Sequence, residues 1–254
     1  SIDCINFRDD SQPLIIKLGN RDLKSTAITH FGAEYYDHTG RNNGMYHLSA
    51  SFNYHHRDIA QSLTYNPATG VYTYKPMNIS GACGAFVMFS TDQNICEKRY
   101  CTWHINVAPL WDHAKDHVML AGQTESHVNT VNTFALSSGT NIRFNRETFS
   151  VRAVGYINWR HSEGAVCSTA SSSGESLHAL DFHYGLESYY TLPRLNTSLA
   201  AAGTTYSRRG YGSSELNTDD FIVNASVSQP LLKGKLIARL EAFDLLHQLS
   251  NTDY

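Results

Sequence analysis

Apolar and polar residues alternate one for one along much of the chain. Between Phe221 and Leu246 two such runs flank a break at Pro230 to Gly234. In the first, Phe221, Val223, Ala225 and Val227 share one side and Asn224, Ser226 and Ser228 the other. In the second, Leu236, Ala238, Leu240 and Ala242 oppose Arg239 and Glu241, while Ile237 and Phe243 interrupt the polar side. A period of two puts successive side chains on opposite faces of a strand, whereas a helix would scatter them. Proline donates nothing to a ladder and glycine tolerates reversal, so the stretch predicts a hairpin.

Upstream the pattern recurs. Thr26 to Tyr36 sets Ala27, Phe31, Ala33 and Tyr35 against His30 and Glu34. Tyr46, Leu48, Ala50, Phe52 and Tyr54 then oppose His47, Ser49, Ser51, Asn53 and His55, in a strand running on toward Ile59. That strand is far longer than the roughly five or six residues usual in a globular sheet. Further strands are expected over 79–90, 99–111, 128–144, 149–160, 178–190 and 195–207, with short turns at Asn145 to Thr148 and around Pro193-Arg194. Longer connections are expected from Ala60 to Asn78, holding a small hairpin around Asn66 to Gly70, and from Asp112 to His127. Two more are the Ser-rich, solvated and mobile stretch His161 to Leu177, and Arg208 to Asp219. Residues 1–25 read as irregular.

Consecutive strands of a meander reverse direction, so the short turns fall on one edge and the long loops on the other. With lipid against the apolar faces and His, Asn, Ser, Arg and Glu lining an interior, the pattern predicts an all-β fold. Its form is an antiparallel up-and-down meander of about ten long strands, part of a transmembrane β-barrel. A soluble sandwich would show the same alternation but needs a second sheet over the apolar side.

Composition narrows the function. Fifteen tyrosines and only 17% charged residues suit strands. A net charge of −3 without a Lys/Arg cluster excludes nucleic acid as the expected partner. No apolar run reaches the length of a membrane helix, and a negative mean hydropathy does not decide the compartment, because a membrane barrel has a polar interior. Ser1 onward has no signal-peptide pattern, so any export address is expected upstream. Cys4, Cys83, Cys96, Cys101 and Cys167 form no CxxC motif. They read as unpaired thiols, although Cys96 and Cys101 could close a small loop in an oxidising compartment.

Several stretches resemble the C-terminal barrel portion of TonB-dependent outer-membrane receptors, of the outer-membrane β-barrel protein family. They are PLIIKLGNRDLKS (Pro13 to Ser25), YNPATGVYTYKPMNISG (Tyr65 to Gly81), YSRRGY (Tyr206 to Tyr211), LNTDDFIVNASVSQPLLKGKL (Leu216 to Leu236) and LEAFDLLHQLSN (Leu240 to Asn251). Arg21 stands where many relatives carry proline. The resemblance implies a single barrel segment: 1–25 an extracellular lead-in to a descending strand, 26–246 about five hairpins, and 247–254 a loop before a missing last strand. The FDLLxQ segment is placed near the end of the penultimate strand. It also implies the outer membrane of a Gram-negative bacterium, nutrient import without enzymatic activity, and as partners membrane lipid, an extracellular nutrient, a plug domain and a TonB-type energy transducer. The rival expectation is a secreted β-sandwich binding or adhesin module.

Candidate chemistry is sparse. His113 and His117 have a spacing that groups ligands only on a helix, without the glutamate of HExxH, and adjacent His55 and His56 should point apart in a strand. Asn217, Asp219 and Asp220 lack the spacing and glycine of a calcium loop. No nucleophile elbow, motif-linked Cys–His or carboxylate pair appears, and Glu34, Glu187 and Glu241 are expected to face the lumen. No metal, cofactor or catalytic residue is therefore expected. The candidate ligand-binding residues are Tyr65, Tyr72 and Tyr74 in one outer loop and Tyr206, Arg208, Arg209 and Tyr211 in another, because Tyr and Arg combine contact area with hydrogen bonding. The competing role for such aromatics is the girdle where lipid meets water.

Overall fold

The structure, a computed structural model, describes residues 6–39, 44–96, 100–119, 123–164 and 176–249. Its strands are β1 (Arg8–Gln12), β2 (Ile15–Leu18), β3 (Ala27–Thr39), β4 (Gly44–Asn66), β5 (Val71–Ile79), β6 (Ala82–Asn94), β7 (Cys101–Val118), β8 (His127–Arg146), β9 (Phe149–Gly164), β10 (Leu177–Leu192), β11 (Thr197–Arg209), β12 (Asp219–Leu231) and β13 (Leu236–Ala242). Among the described residues the helical content is two 3₁₀ turns, Ser214–Leu216 and Leu232–Gly234. From β6 onward each strand pairs antiparallel with the next, in the order β4-β6-β7-β8-β9-β10-β11-β12-β13. β3 pairs the other edge of β4, and β1-β2-β5 continue from that strand's far end. The sole parallel pairing described is β2 on β5. The fold is all-β, a large and mostly antiparallel meander, and the sheet is not closed.

The expected long connection from Ala60 to Asn78 is instead ladder. β4 runs for 23 residues, and its outer part pairs with β5 from Asp58↔Ile79 to Asn66↔Val71. The β-formers Thr64, Tyr65, Val71 and Tyr72 continue the strand. Asn66 ends it, its side chain accepting the Ala68 N–H at 3.0 Å and its carbonyl the Gly70 N–H at 2.8 Å. β4 lies between β5 and β6 in the sheet order, and the two are joined through Ser80-Gly81, where Gly81 has a φ of 87° and its N–H donates to the His55 carbonyl.

Residues 8–18, expected to be irregular, form the β1–β2 hairpin. The free edge of β5 recruits it: Tyr72 N–H donates to the Leu14 carbonyl at 2.9 Å, and Ile15 to Lys17 pair with Tyr72 to Tyr74. Segment 19–24 is tied down beside it. Asn20 Nδ2 donates to the Pro76 carbonyl, and Lys24 and Asn78 exchange two hydrogen bonds. The connection read as Asp112 to His127 shrinks to 119–126, because β7 runs to Val118, and Glu125 bridges to Thr64. The Ser-rich connection expected to be mobile lies largely outside the described residues, as do Cys4, Cys167 and residues 250–254.

The closing hairpin forms as expected, with Val227 opposite Leu240 and Ala225 opposite Ala242. Pro230 sits within β12, and the reversal uses Leu232, Lys233 and Gly234, all at positive φ. The second run ends sooner than expected. At Asp244 (φ 47°) the chain leaves the ladder: its N–H donates to Asn224 Oδ1, and its carboxylate accepts the N–H groups of Gln248 and Leu249 at 3.0 and 3.1 Å. These local bonds replace strand pairing, so Phe243 to Leu246 is not strand.

Because the registers are regular, each face can be followed across the wall. One transverse row reads Tyr35, Leu48, Phe89, Val107, Ser138, Ile157, Phe182 and Ser207. The neighbouring row on the opposite face reads Tyr36, His47, Ser90, Asn106, Gly139, Tyr156, His183, Tyr206 and Asp220. The first side is apolar and uncovered, with Phe31 65%, Tyr184 56% and Leu240 74% exposed. Elements make their substantial contacts with sheet neighbours, and among the described residues no second layer lies over either face. The ends joined by the short links β3 to β4, β6 to β7, β8 to β9, β10 to β11 and β12 to β13 lie on one edge. The ends joined by the longer links β7 to β8, β9 to β10 and β11 to β12 lie on the other, as does the tip of the β4–β5 pair.

Candidate ligand-binding rim

The candidate residues all lie toward the long-loop edge, in two separate groups. Tyr65 and Tyr72 are directly opposed on β4 and β5, their rings 4.7 Å apart, and Tyr74 follows on the same face of the β5 ladder, opposite Leu63. Lys17 and Ile15 on β2 extend that face. These tyrosines are ladder residues, not a free loop, and Tyr65 is further held by its N–H donating to the Thr124 carbonyl at 2.8 Å. Their platform is set by backbone pairing on both sides.

The second group is built on β10, β11 and the connection after it. Tyr206 and Arg208 stand on the polar face, cross-strand from His183 and Asp181. The Tyr211 hydroxyl donates to both carboxylate oxygens of Asp181, at 2.9 and 2.7 Å, while Arg208 Nε lies 3.5 Å from the same carboxylate. Arg208 also stacks on the Tyr211 ring, 4.6 Å from its centre. Partial burial, then the hydrogen bond to Asp181, raises the Tyr211 phenol above its ordinary pKa. The connection can reach this far because Gly210 crosses directly over β10. It has a φ of 78°, and a Cβ there would meet the His178 carbonyl oxygen at 1.7 Å. Asn217 then fixes the loop, its side chain bonding both the N–H and the carbonyl of Tyr211.

Arg209 does not join the cluster. One residue beyond Arg208 in a strand, it faces the apolar side, pairs with the Asp219 carboxylate, and donates to the Arg208 and Thr218 carbonyls. Hydrogen bonds from Arg209 and Ser207 hold Asp219 below its ordinary pKa. Asp219 and Asn217 thus have structural partners at the base of the loop. Tyr72 on β5 and Arg208 on β11 are seven strand spacings apart along the sheet, about 34 Å of sheet width, and they line no common concavity among the described residues.

Three residues belong to the rim that composition did not single out: Asp181, His183 and Tyr156. The His183 ring lies between Tyr156 (5.2 Å) and Tyr206 (5.3 Å), and Tyr156 is anchored by a 2.6 Å hydroxyl contact with Ser137. With Asn158, Asp181 and Arg208 they line a concavity of about 470 Å³. The two-residue turn at Glu147-Thr148 and the short turn at 193–196 already imply the registers placing Gly139 beside Tyr156 and His183 beside Tyr206. Nearer the short-turn edge, a second concavity of about 640 Å³ is lined by Arg143, Arg152, Glu187, Arg239 and Glu241. There Arg152 grips Glu187 with two bonds, of 2.9 and 2.6 Å.

Neither concavity holds a grouping that points to metal or covalent chemistry. Among the described residues no three His, Cys, Asp or Glu side chains converge as a metal site. His113 and His117 both lie in β7, where four residues span about 13 Å. His55 and His56 have separate partners, Asp58 and Thr29. What the rim offers is phenols, imidazole, guanidinium and carboxylate held by cross-strand register, suited to reversible recognition. The chain matches no known family model, no curated protein and no solved structure.

Proposed function

We propose that this chain is a section of outer-membrane β-barrel wall from a TonB-dependent receptor, a non-enzymatic importer whose outer rim helps capture a nutrient. The observation that carries this reading is the uncovered apolar face. A single layer of strands, nine of them of thirteen residues or more, carries His, Asn, Ser, Arg and Glu on one side and Phe, Tyr, Leu and Trp on the other. In water such a face would collapse onto another layer or aggregate. In a bilayer it is solvated, and for strands only a closed barrel satisfies the backbone there. The edge asymmetry agrees with short periplasmic turns and long extracellular connections. The Tyr65–Tyr72–Tyr74 platform and the Asp181–Arg208–Tyr211 cluster would both face the outside, with the plug and energy transducer acting from the other side. The rival secreted sandwich requires a second sheet over Phe31 and Leu240, and the described residues supply none.

All three tryptophans, Trp103, Trp111 and Trp159, lie on the apolar face. Their fluorescence in proteoliposomes containing brominated phospholipid should be strongly quenched. A chain that purifies from buffer as a monomer, with tryptophans indifferent to the brominated lipid, would sink the proposal.

A further inference from the structure

Cys96 and Cys101 stand at the two feet of the turn between β6 and β7. The Ile95 N–H donates to the Cys101 carbonyl at 2.8 Å, drawing the feet together, and the Cys101 N–H donates to Cys96 Sγ at 3.1 Å. The second foot is braced from behind, since the Tyr100 carbonyl accepts the Asn145 N–H at 2.7 Å. The Cys96 sulfur therefore rests against the backbone of the residue that carries the second thiol. Both thiols are unpaired and half-exposed, open to a small oxidant. Cys83, the other described cysteine, lies at the opposite end of β6, more than about 35 Å away along the strand.

We infer that Cys96 and Cys101 form a dithiol redox site, closed by a small disulfide oxidant of the glutathione type into an intramolecular bond that pins the β6–β7 turn. One thiolate attacks a sulfur of the oxidant, forming a mixed disulfide and releasing the first reduced thiol. The second cysteine, as thiolate, attacks the protein sulfur of that mixed disulfide and expels the other half. Two electrons and two protons pass from the protein to the oxidant, giving one protein disulfide and two small thiols. The inference rests on local geometry and stands whether or not the chain resides in a membrane. If it does, this short-turn edge faces the periplasm, where disulfides persist.

The test uses the folded chain in detergent with Cys4, Cys83 and Cys167 replaced by Ser, reduced and then exposed to oxidised glutathione. The expected result is loss of both iodoacetamide-reactive thiols and of two hydrogens in intact mass, reversed by dithiothreitol. Trypsin cuts after Lys98 and Arg99, so the bond should appear as two peptides joined through Cys96 and Cys101. A stable glutathione adduct on either cysteine without the link, or two thiols that remain alkylatable, would overturn it. The unsubstituted chain, oxidised and mapped in the same way, guards against a folding defect of the variant. A link from Cys83 to either residue there would count against the pair.

Discussion

The outward extension (β1, β2, β5 and the end of β4) and the long-strand wall share a strand, yet they treat apolar residues in opposite ways. In the extension Ala60 and Ile79 are buried and Pro76 is enclosed, under a segment tied down through Asn20, Lys24 and Asn78. A small sheet in water must make such a core. In the wall the buried apolar residues Ala179 and Ile222 lie on the polar face, while Phe31, Leu186 and Leu240 stand bare on the other. Under the proposed reading, the same alternation serves two solvents. A strand's period tells which residues share a face, and what covers that face tells what medium it meets.

Reversing the medium should have the largest effect. Leu186→Arg puts a guanidinium on the bare face and should cost about 2–4 kcal/mol in a bilayer near its midplane, read from guanidinium titrations of folding into liposomes. A cost within about 0.5 kcal/mol, as at an ordinary water-exposed site, would erase the contrast. In the extension the order reverses: Ile79→Ala should cost about 2 kcal/mol through its lost core contact, whereas exposed Ile59→Arg should be nearly silent.

Gly210→Ala should cost about 1–2 kcal/mol, since the left-handed backbone and the His178 carbonyl both resist a Cβ. It should release Tyr211 from Asp181 while leaving the Tyr65–Tyr72 platform intact, which ligand titration would show as partial loss. Within the wall, Glu187→Gln should cost about 1 kcal/mol, modest because the pair with Arg152 is partly solvated. The smallest effect is a titration. With its folded pKa raised, Tyr211 contributes stability fully present below the ordinary tyrosine pKa and lost as pH rises through the raised value. Absorbance near the phenolate band should show a late-ionising tyrosine that vanishes in Tyr211→Phe.

Much of the wall was legible because its signals are local. Alternation in Tyr46 to His55 and Phe149 to Arg160 identified the faces, and tight turns such as Glu147-Thr148 set the register of their own hairpins. Three features were not legible for the same reason. The small hairpin around Asn66 to Gly70 is present as expected, but its continuation through Ala60 to Leu63 and Tyr74 to Asn78 is visible only in the ladder. Residues 8–18 become strands only when the β5 edge accepts them, and Asp244 ends β13 through contacts with Asn224 and residues ahead of it. At the rim, the residue types Tyr and Arg were rightly singled out, but the pairing of Arg208 with Asp181, against Arg209 with Asp219, follows from which face each takes.

The amino-acid order by itself determined most strands of the wall, their two unlike faces and the pairing across each short turn, since all three depend on neighbours a few residues apart. The tertiary structure decided the registers across the long connections, which join β7 to β8, β9 to β10 and β11 to β12. It thereby aligned Tyr156, His183 and Tyr206 into one row and left the Tyr72 platform seven strands along the sheet from Arg208. A long loop constrains its ends only weakly, so there it is the meeting of whole strands, not the residues between them, that sets the match.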